Sequence, residues 1–479
     1  MTHIRTRFAP SPTGALHVGG IRTALFAYLL ARQSKGQFIL RLEDTDQKRE
    51  VEGSAAHIAE CLRVLGLDYD EGPDAKGDFG PYRQSDRLNI YKKWAQKLID
   101  SGRAYADPYT SEEVQMFREQ AQKNKQPFLY RTHRPENLRQ LADAWDGSTP
   151  LRFKSDPKKY TWNDAVMGDL ATGPEVIDDF ILMKSDGFPT YNFAHIVDDA
   201  EMNITHVIRG QEFISSQPNY LNLYDALKLE YPIFATMPHI MAESGGKKLG
   251  KRDGAKDVLD YIKDGYLPET LVSFIATLGW NDGTEQEVFT RSELVEKFSL
   301  SRVQKSGAHF DEKRLLWMNG QFIRNLSLDE LSAHVSTFWP ESARSADENY
   351  RSDVLALAQD RLKTLKDLPV LTSYFFEEPA VDMSLIDGNK QLKKLAKEER
   401  ISLLQTTRTL LESLEVWNAD TIQETLNVLL EQTGQKPGVL FSLIRIATTW
   451  APFSPQLNDT LALLGKEKTI RRLAIASEA

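Results

Sequence analysis

Three groups of residues have the types and spacing to do chemistry. The first is the run Arg7-Phe-Ala-Pro-Ser-Pro-Thr-Gly-Ala-Leu-His-Val-Gly-Gly20. A short apolar stretch, Ile4 to Phe8, meets the breakers Pro10, Pro12 and Gly14, and the spacing predicts a helix from Leu16. A helix start presents unpaired N–H groups and partial positive charge, which suits a phosphate. Gly19 and Gly20 lack a Cβ, so a flat base or ribose can pack on the backbone there. His17 can donate to a phosphoryl oxygen, although taken alone it can equally brace a tight turn.

The second group is Gly245-Gly-Lys-Lys-Leu-Gly-Lys-Arg-Asp-Gly254. Lys248, Lys251 and Arg252 concentrate positive charge between glycines, the charge that phosphoryl or adenylyl transfer needs as negative charge spreads in the transition state. In isolation such a run is a solvated basic loop. The third group is Arg7, Glu43 and Arg209 at expected strand ends, with Tyr191 opening a further strand. Ligands of open α/β sheets bind outside the carboxyl ends of the strands. Two arginines and a glutamate complement an amino acid with an extra carboxylate: an arginine faces the carboxylate and Glu43 the α-ammonium.

The elements that must hold these residues alternate. Phe38 to Leu42 reads as a buried strand, helices follow over Ser54 to Leu65 and around Leu88 to Leu98, and Gly66 and Gly102 stop them. Strand and helix in this order imply a parallel α/β sheet. From 105 to 188 the chain turns polar and mixed, and the α/β signal resumes at Tyr191 to Val197 and Ile204 to Arg209. That is the pattern of a nucleotide-binding sheet split by an insertion. Beyond about 255 the periodicity is helical, as in Leu355, Ala358 and Leu362. The division expected is 1–104 and 189–240 for the halves of the split domain, 105–188 for the insertion, 241–326 for a connecting domain, and 327–479 for a helical region.

Composition narrows the class. The chain has 479 residues, 41% hydrophobic and 27% charged, an ordinary globular balance. Its longest apolar run, Ala24 to Ala31, falls short of the ~20 residues that span a bilayer, and no apolar signal segment follows Met1. A cytoplasmic protein without membrane association is expected. The net charge of −9 leaves room for a local basic face toward nucleic acid. Cys61 is the one cysteine, at helical spacing with Ile58 and Leu65; it reads as a small buried hydrophobe and rules out any multi-cysteine zinc set. No metal-ligand pattern is legible.

Residues 7–20 resemble the first nucleotide signature of class I aminoacyl-tRNA synthetases in its glutamyl form, with Gly20 where the second histidine of other members stands. Lys248-Leu-Gly-Lys-Arg252 resembles their mobile lysine signature. Arg41-Leu-Glu-Asp-Thr-Asp46, Pro189-Thr-Tyr-Asn-Phe193, Val197-Asp-Asp199, His206-Val-Ile-Arg-Gly210, Gly265-Tyr-Leu-Pro-Glu269, Trp317-Met-Asn-Gly320 and Leu463-Leu-Gly-Lys-Glu467 are similar to bacterial-type glutamyl-tRNA synthetases. The similarity runs nearly end to end.

The resemblance implies a Rossmann-like catalytic domain split by an acceptor-end-binding insertion, a stem-contact domain and an all-α anticodon-binding region. It implies ATP with Mg2+, L-glutamate and tRNA(Glu), and leaves open tRNA(Gln) as a further substrate; relatives are usually monomers. By matched position His17, Gly19, Gly20, Glu212, Lys248 and Lys251 would hold ATP, with His17, Lys248 and Lys251 acting on its phosphates. Arg7, Ala9, Ser11, Glu43, Tyr191 and Arg209 would surround glutamate. The substrate carboxylate attacks the α-phosphate, and the 2′-OH of the terminal ribose then takes the acyl group. Such enzymes typically activate glutamate only with tRNA bound.

Three positions depart from the pattern: Gly250 stands where serine is usual, Gln211 where an acid is usual, and His195 where the family varies. The stretch from Tyr105 to His133 lacks the cysteines with which some relatives bind zinc, so no zinc is expected there. The sister glutaminyl enzyme fits less well, because it reads its anticodon with β-barrels and an amide suits Arg7 and Arg209 less. A shortened relative that modifies a tRNA base lacks the helical region. A catalytically dead tRNA-binding paralogue is opposed by the intact His17, Glu43, Lys251 and Arg209.

Overall fold

The computed structural model describes residues 3–243, 245–250 and 256–479. The chain forms two compact units, one of residues 1–260 with 271–311 and the other of 261–270 with 312–479.

In the first unit β1 (Arg5–Phe8) leads through the proline turn into α1 (Val18–Gln33), and β2 (Gln37–Leu40) returns parallel to β1. Ile21, Leu25, Phe26 and Leu29 are fully buried, so α1 has an apolar face wide enough to cover the sheet. Next come α2 (Ser54–Val64), α3 (Leu88–Asp100) and β3 (Ala104–Ala106). The expected insertion contains α4 (Ser111–Lys123), α5 (Leu138–Asp143), β4 (Leu151–Phe153), β5 (Tyr160–Asp164), β6 (Gly168–Thr172) and β7 (Ile181–Met183). Then follow α6 (Tyr191–Glu201), β8 (His206–Gly210), α7 (Gln217–Leu227) and β9 (Ile233–Met237).

Strands β3, β4 and β7 make an antiparallel sheet. The other larger sheet has the order β6-β5-β9-β8, with β8 and β9 parallel. The β5–β6 hairpin therefore lies inside the expected insertion yet pairs with β9 of the resumed domain, through Asp164 and Phe234. Asp164 strengthens that seam by accepting from the Thr236 hydroxyl at 2.6 Å.

One element differs from its sequence reading. The segment from Tyr191 to Val197, expected as a strand, is the start of helix α6. Phe193, Ala194, Ile196 and Val197 are all buried, as are His195, Asp198 and Asp199. A helix buried all round shows no amphipathic period, and a short apolar run of this kind suits a strand equally well.

The second unit is helical, from Glu312–Asn325 through to Lys466–Glu478. Two motifs far apart in sequence meet inside it. Asn319, fully buried, accepts from the Leu267 N–H at 2.9 Å and donates to the carbonyls of Lys363 (2.7 Å) and Gly265 (3.3 Å). Gly265 has φ +86°, and a Cβ there would lie 2.6 Å from the Lys366 nitrogen, so both conformation and space require glycine. Trp450 belongs to the core formed by Leu440, Leu443 and Leu461, and has φ +46° at the end of its helix.

Replacing Asn319 by Ala strands one buried N–H and frees two carbonyls. We expect a loss of about 1–3 kcal/mol from the unfolding free energy of this unit, read as a lower urea midpoint in its helical signal. An unchanged midpoint would show that the contact is not structural.

Candidate active site

The signature residues converge on one cavity of about 310 Å³ in the first unit. Arg7, Ala9, Ser11, His17, Gly19, Gly20, Glu43, Tyr191, Arg209, Glu212 and Lys248 all line it. Lys251 and Arg252 lie outside the described residues.

Each is placed by a local feature of the chain. Arg7 and Arg209 lie on β1 and β8, and Glu43 follows the end of β2, held by its N–H to the Pro10 carbonyl at 3.0 Å. His17 is the residue just before α1, and its Nδ1 accepts from the Gly19 N–H at 3.2 Å. That bond turns the imidazole across the first helical turn and satisfies one of its orphan donors. At Gly20 a Cβ would lie 2.7 Å from Leu16 Cδ1, so a larger residue there would require the end of that leucine to shift.

Beneath the cavity lies a network of buried charge. Asp199 on α6 accepts from Arg7 Nε at 3.0 Å and Nη2 at 3.3 Å, and from Arg41 Nη1 at 2.7 Å. Arg41, wholly buried, also donates from Nη2 to Glu43 Oε1 at 2.9 Å. The adjacent Asp198 accepts from Arg87 Nε at 2.7 Å and Gln84 Nε2 at 2.8 Å. Opposite charges at this range hold the Asp199 carboxyl well below the usual carboxylate range, although burial opposes them. Glu43 behaves differently. Burial raises it to about 7, with Arg41 and Arg7 only partly offsetting that, because Arg41 is shared with both aspartates.

Arg209 is buried, with its guanidinium 5.0 Å from the centre of the Tyr220 ring and 5.2 Å from that of Phe213, and it donates to the Gln217 side-chain oxygen. Tyr191 stacks on His195 at 4.7 Å and on Phe213 at 5.4 Å. His195 does not line the cavity. It lies buried behind Tyr191, its Nδ1 2.8 Å from the Tyr191 carbonyl. Burial and nearby Arg209 push its pKa down to about 3, so it is a neutral imidazole that packs the tyrosine. Gln211 does not line the cavity either.

At the other end, Glu212 lies 3.8 Å from Lys248 and 3.8 Å from His239. Arg22, Thr23 and His239 also line the cavity and were not singled out from sequence. Arg22 follows Gly19 by three residues, which places both on one helix face, so that spacing would have found it. Burial lowers Arg22 to about 10, against the pull of Glu212, and it donates to the Leu278 carbonyl at 3.1 Å.

A split α/β domain with a glycine-rich helix start, a lysine-rich run and a cavity lined by two arginines and a glutamate fits an enzyme that adenylates an acidic substrate. Residues 3–317 match the family model for tRNA synthetases class I (E and Q), catalytic domain, and residues 330–477 match an anticodon binding domain. The chain belongs to the class I tRNA synthetases for glutamate and glutamine. It is 40% identical over 480 residues to a glutamate–tRNA ligase of Dehalococcoides mccartyi, covering 99% of this chain and 97% of that protein. With the glutamate–tRNA ligase of Clostridium tetani the identity is 39% at the same coverage. The crystal structure of a glutamate tRNA ligase from Elizabethkingia meningosepticum in complex with its amino acid superposes with a TM-score of 0.87 at 32% identity, covering 99% of each chain.

The raised Glu43 has a measurable consequence. The role expected of Glu43, pairing with the substrate α-ammonium, requires its carboxylate form, which predominates only above about pH 7. The KM for glutamate should therefore rise roughly tenfold between pH 8 and pH 6, with the KM for ATP moving much less. A flat glutamate KM over this range would place the ammonium elsewhere.

Proposed function

We propose that this chain is a glutamate–tRNA ligase, activating L-glutamate with ATP and transferring it to the 3′-terminal adenosine of tRNA(Glu). The observation that carries the reading is the joint lining of one cavity by Arg7, Arg209 and Glu43 beside His17, Gly19, Gly20 and Lys248. The full-length likeness to proteins named glutamate–tRNA ligase supports it.

In this reading Arg209 and Arg7 hold the side-chain carboxylate of the substrate, and Glu43 holds its ammonium, with Ala9, Ser11 and Tyr191 closing around them. The ATP base and ribose pack over Gly19 and Gly20, Glu212 reaches the ribose, and Lys248 and Lys251 hold the phosphates. His17 at the start of α1 donates to a phosphoryl oxygen as pyrophosphate leaves. The substrate α-carboxylate is the nucleophile, so the protein contributes position and charge.

Mg2+ would accompany the triphosphate. Glu43 and Glu212 are the only carboxylates lining the cavity among the described residues, and both already face cations. That set suits a metal arriving on ATP better than one held by protein ligands. A second cavity of about 660 Å³ shares Ser11, Glu43, Tyr191 and Phe213 with the first and adds Lys48, Arg49 and Lys184. Its lining carries both signs, with Lys48, Arg49 and Lys184 among Asp44, Asp46, Glu50 and Asp186, and it is an approach by which the tRNA terminus can reach the adenylate. The insertion then serves the acceptor end, residues 241–326 the stem, and the helices from 327 the anticodon, in a monomer acting in the cytoplasm. No helix among the described residues is long and apolar enough to cross a membrane. Charging of tRNA(Gln) as well is left to the anticodon contacts.

The test is ATP-dependent charging of glutamate and glutamine onto transcripts of tRNA(Glu) and tRNA(Gln). Glutamate should be joined to tRNA(Glu), and Arg209→Ala should lower kcat/KM for glutamate at least about a hundredfold, near 2.7 kcal/mol. Preferential use of glutamine, or no charging by a folded protein that binds tRNA, would overturn the assignment.

A further inference from the structure

Outside the cavity, one set of side chains has the make-up of a ligand site that the reaction does not use. His57 and Cys61 are four residues apart on α2, so both project from one helix face. Asp257 meets them from the stretch that follows the lysine signature. Its Oδ2 lies 2.8 Å from His57 Nε2, and Cys61 Sγ lies 3.4 Å from the same nitrogen. The three donor atoms are all within 4.8 Å of one another, the only such group of three among the described residues.

The two contacts made by His57 Nε2 are close to the spacing of a metal polyhedron. Bonds of about 2.0–2.3 Å at tetrahedral angles put ligand atoms roughly 3.3–3.7 Å apart. The sulfur–nitrogen distance is already in that range, and the histidine–aspartate contact needs to open by only about half an ångström. Cys61 is fully buried while His57 and Asp257 are 25% and 16% exposed at their side chains. The site is thus closed on the sulfur side and open to water on the other. Asp257 is oriented by a further bond, its Oδ1 accepting from the Leu259 N–H at 2.9 Å, the kind of outer support that fixes a ligating carboxylate.

We propose that His57, Cys61 and Asp257 bind a thiophilic divalent cation of the zinc class, with a water completing the tetrahedron. One sulfur, one imidazole nitrogen and one carboxylate oxygen select zinc, cobalt or cadmium over magnesium or calcium. The position gives the site a consequence. Asp257 bridges the backbone of His17, and the Val258 N–H donates to the Leu16 carbonyl at 3.2 Å. A bound cation therefore ties α2 to the short backbone bridge between Asp257 and His17, beside the first nucleotide signature. The single cysteine excluded multi-cysteine zinc sets, and this mixed set is a different kind of site.

The experiment is a Co2+ titration of the full-length protein, thiol reduced and chelator removed. One equivalent should produce a thiolate-to-cobalt charge-transfer band together with intense tetrahedral d–d bands. Cys61 is the only cysteine of the chain, so that band reports this site alone. His57→Gln and Asp257→Asn, both at partly exposed positions, should each weaken binding at least about tenfold while leaving the far-ultraviolet circular dichroism unchanged. Cobalt bands without a thiolate component, no bands at all, or unchanged affinity in both folded variants would overturn the proposal.

Discussion

The carboxylate of Asp199 is the contact on which the site depends. It lies between two buried guanidiniums, Arg7 from β1 and Arg41 beyond β2, and so ties both strands to helix α6. Buried charges of this kind cost several kcal/mol each to desolvate, and the cost is offset only where every partner is in place. Removing one member therefore does more than delete a hydrogen bond, because it leaves the others charged and unpaired. The network fixes Arg7 through Nε and Nη2, and its Nη1 donates to the Ile208 carbonyl at 3.3 Å, so the guanidinium is held in one orientation in the cavity wall. Burial raises the Glu43 pKa to about 7, and Arg41, whose charge is divided among three carboxylates, offsets this only in part.

From that constraint the rest of the site follows in order. Helix α6 starts at Tyr191, and the Tyr191 ring is held by neutral His195 beneath it and by Phe213 beside it. Arg209 on β8 is flanked by Phe213 and Tyr220, so its charge is aimed by aromatic walls, with Gln217 its polar partner. At the nucleotide end the geometry is set by backbone, with His17 folded over the first turn of α1. The cavity thus has one end shaped by buried ion pairs, which we propose takes the carboxylate, and another shaped by a helix start, which we propose takes the phosphates.

Much of this was legible in the chain. The lining residues sit in short motifs with distinctive composition, and strand ends followed by glycine or proline turns pointed to where their side chains gather. The helix at Tyr191 was not, because its four apolar residues and its buried acids carry no period that separates helix from strand. Nor were the roles of Arg41 and Asp199, which stand 158 residues apart and acquire meaning only when β2 and α6 pack together. Asn319 is a similar case: its motif and that of Gly265 were both visible, but the bond joining them was not. His57 and Cys61 share a helix face that the sequence shows, while Asp257 is brought to them by the fold.

The most direct test of the account is the pair of Michaelis constants for Asp199→Asn. This isosteric change keeps the volume and removes the charge that holds Arg7 and Arg41. The account predicts that the KM for glutamate rises at least about tenfold, 1.4 kcal/mol or more, while the KM for ATP stays within about twofold. Equal changes in both constants, or none in either, from a protein with unaltered circular dichroism would contradict the claim that this buried carboxylate positions the amino-acid end of the site.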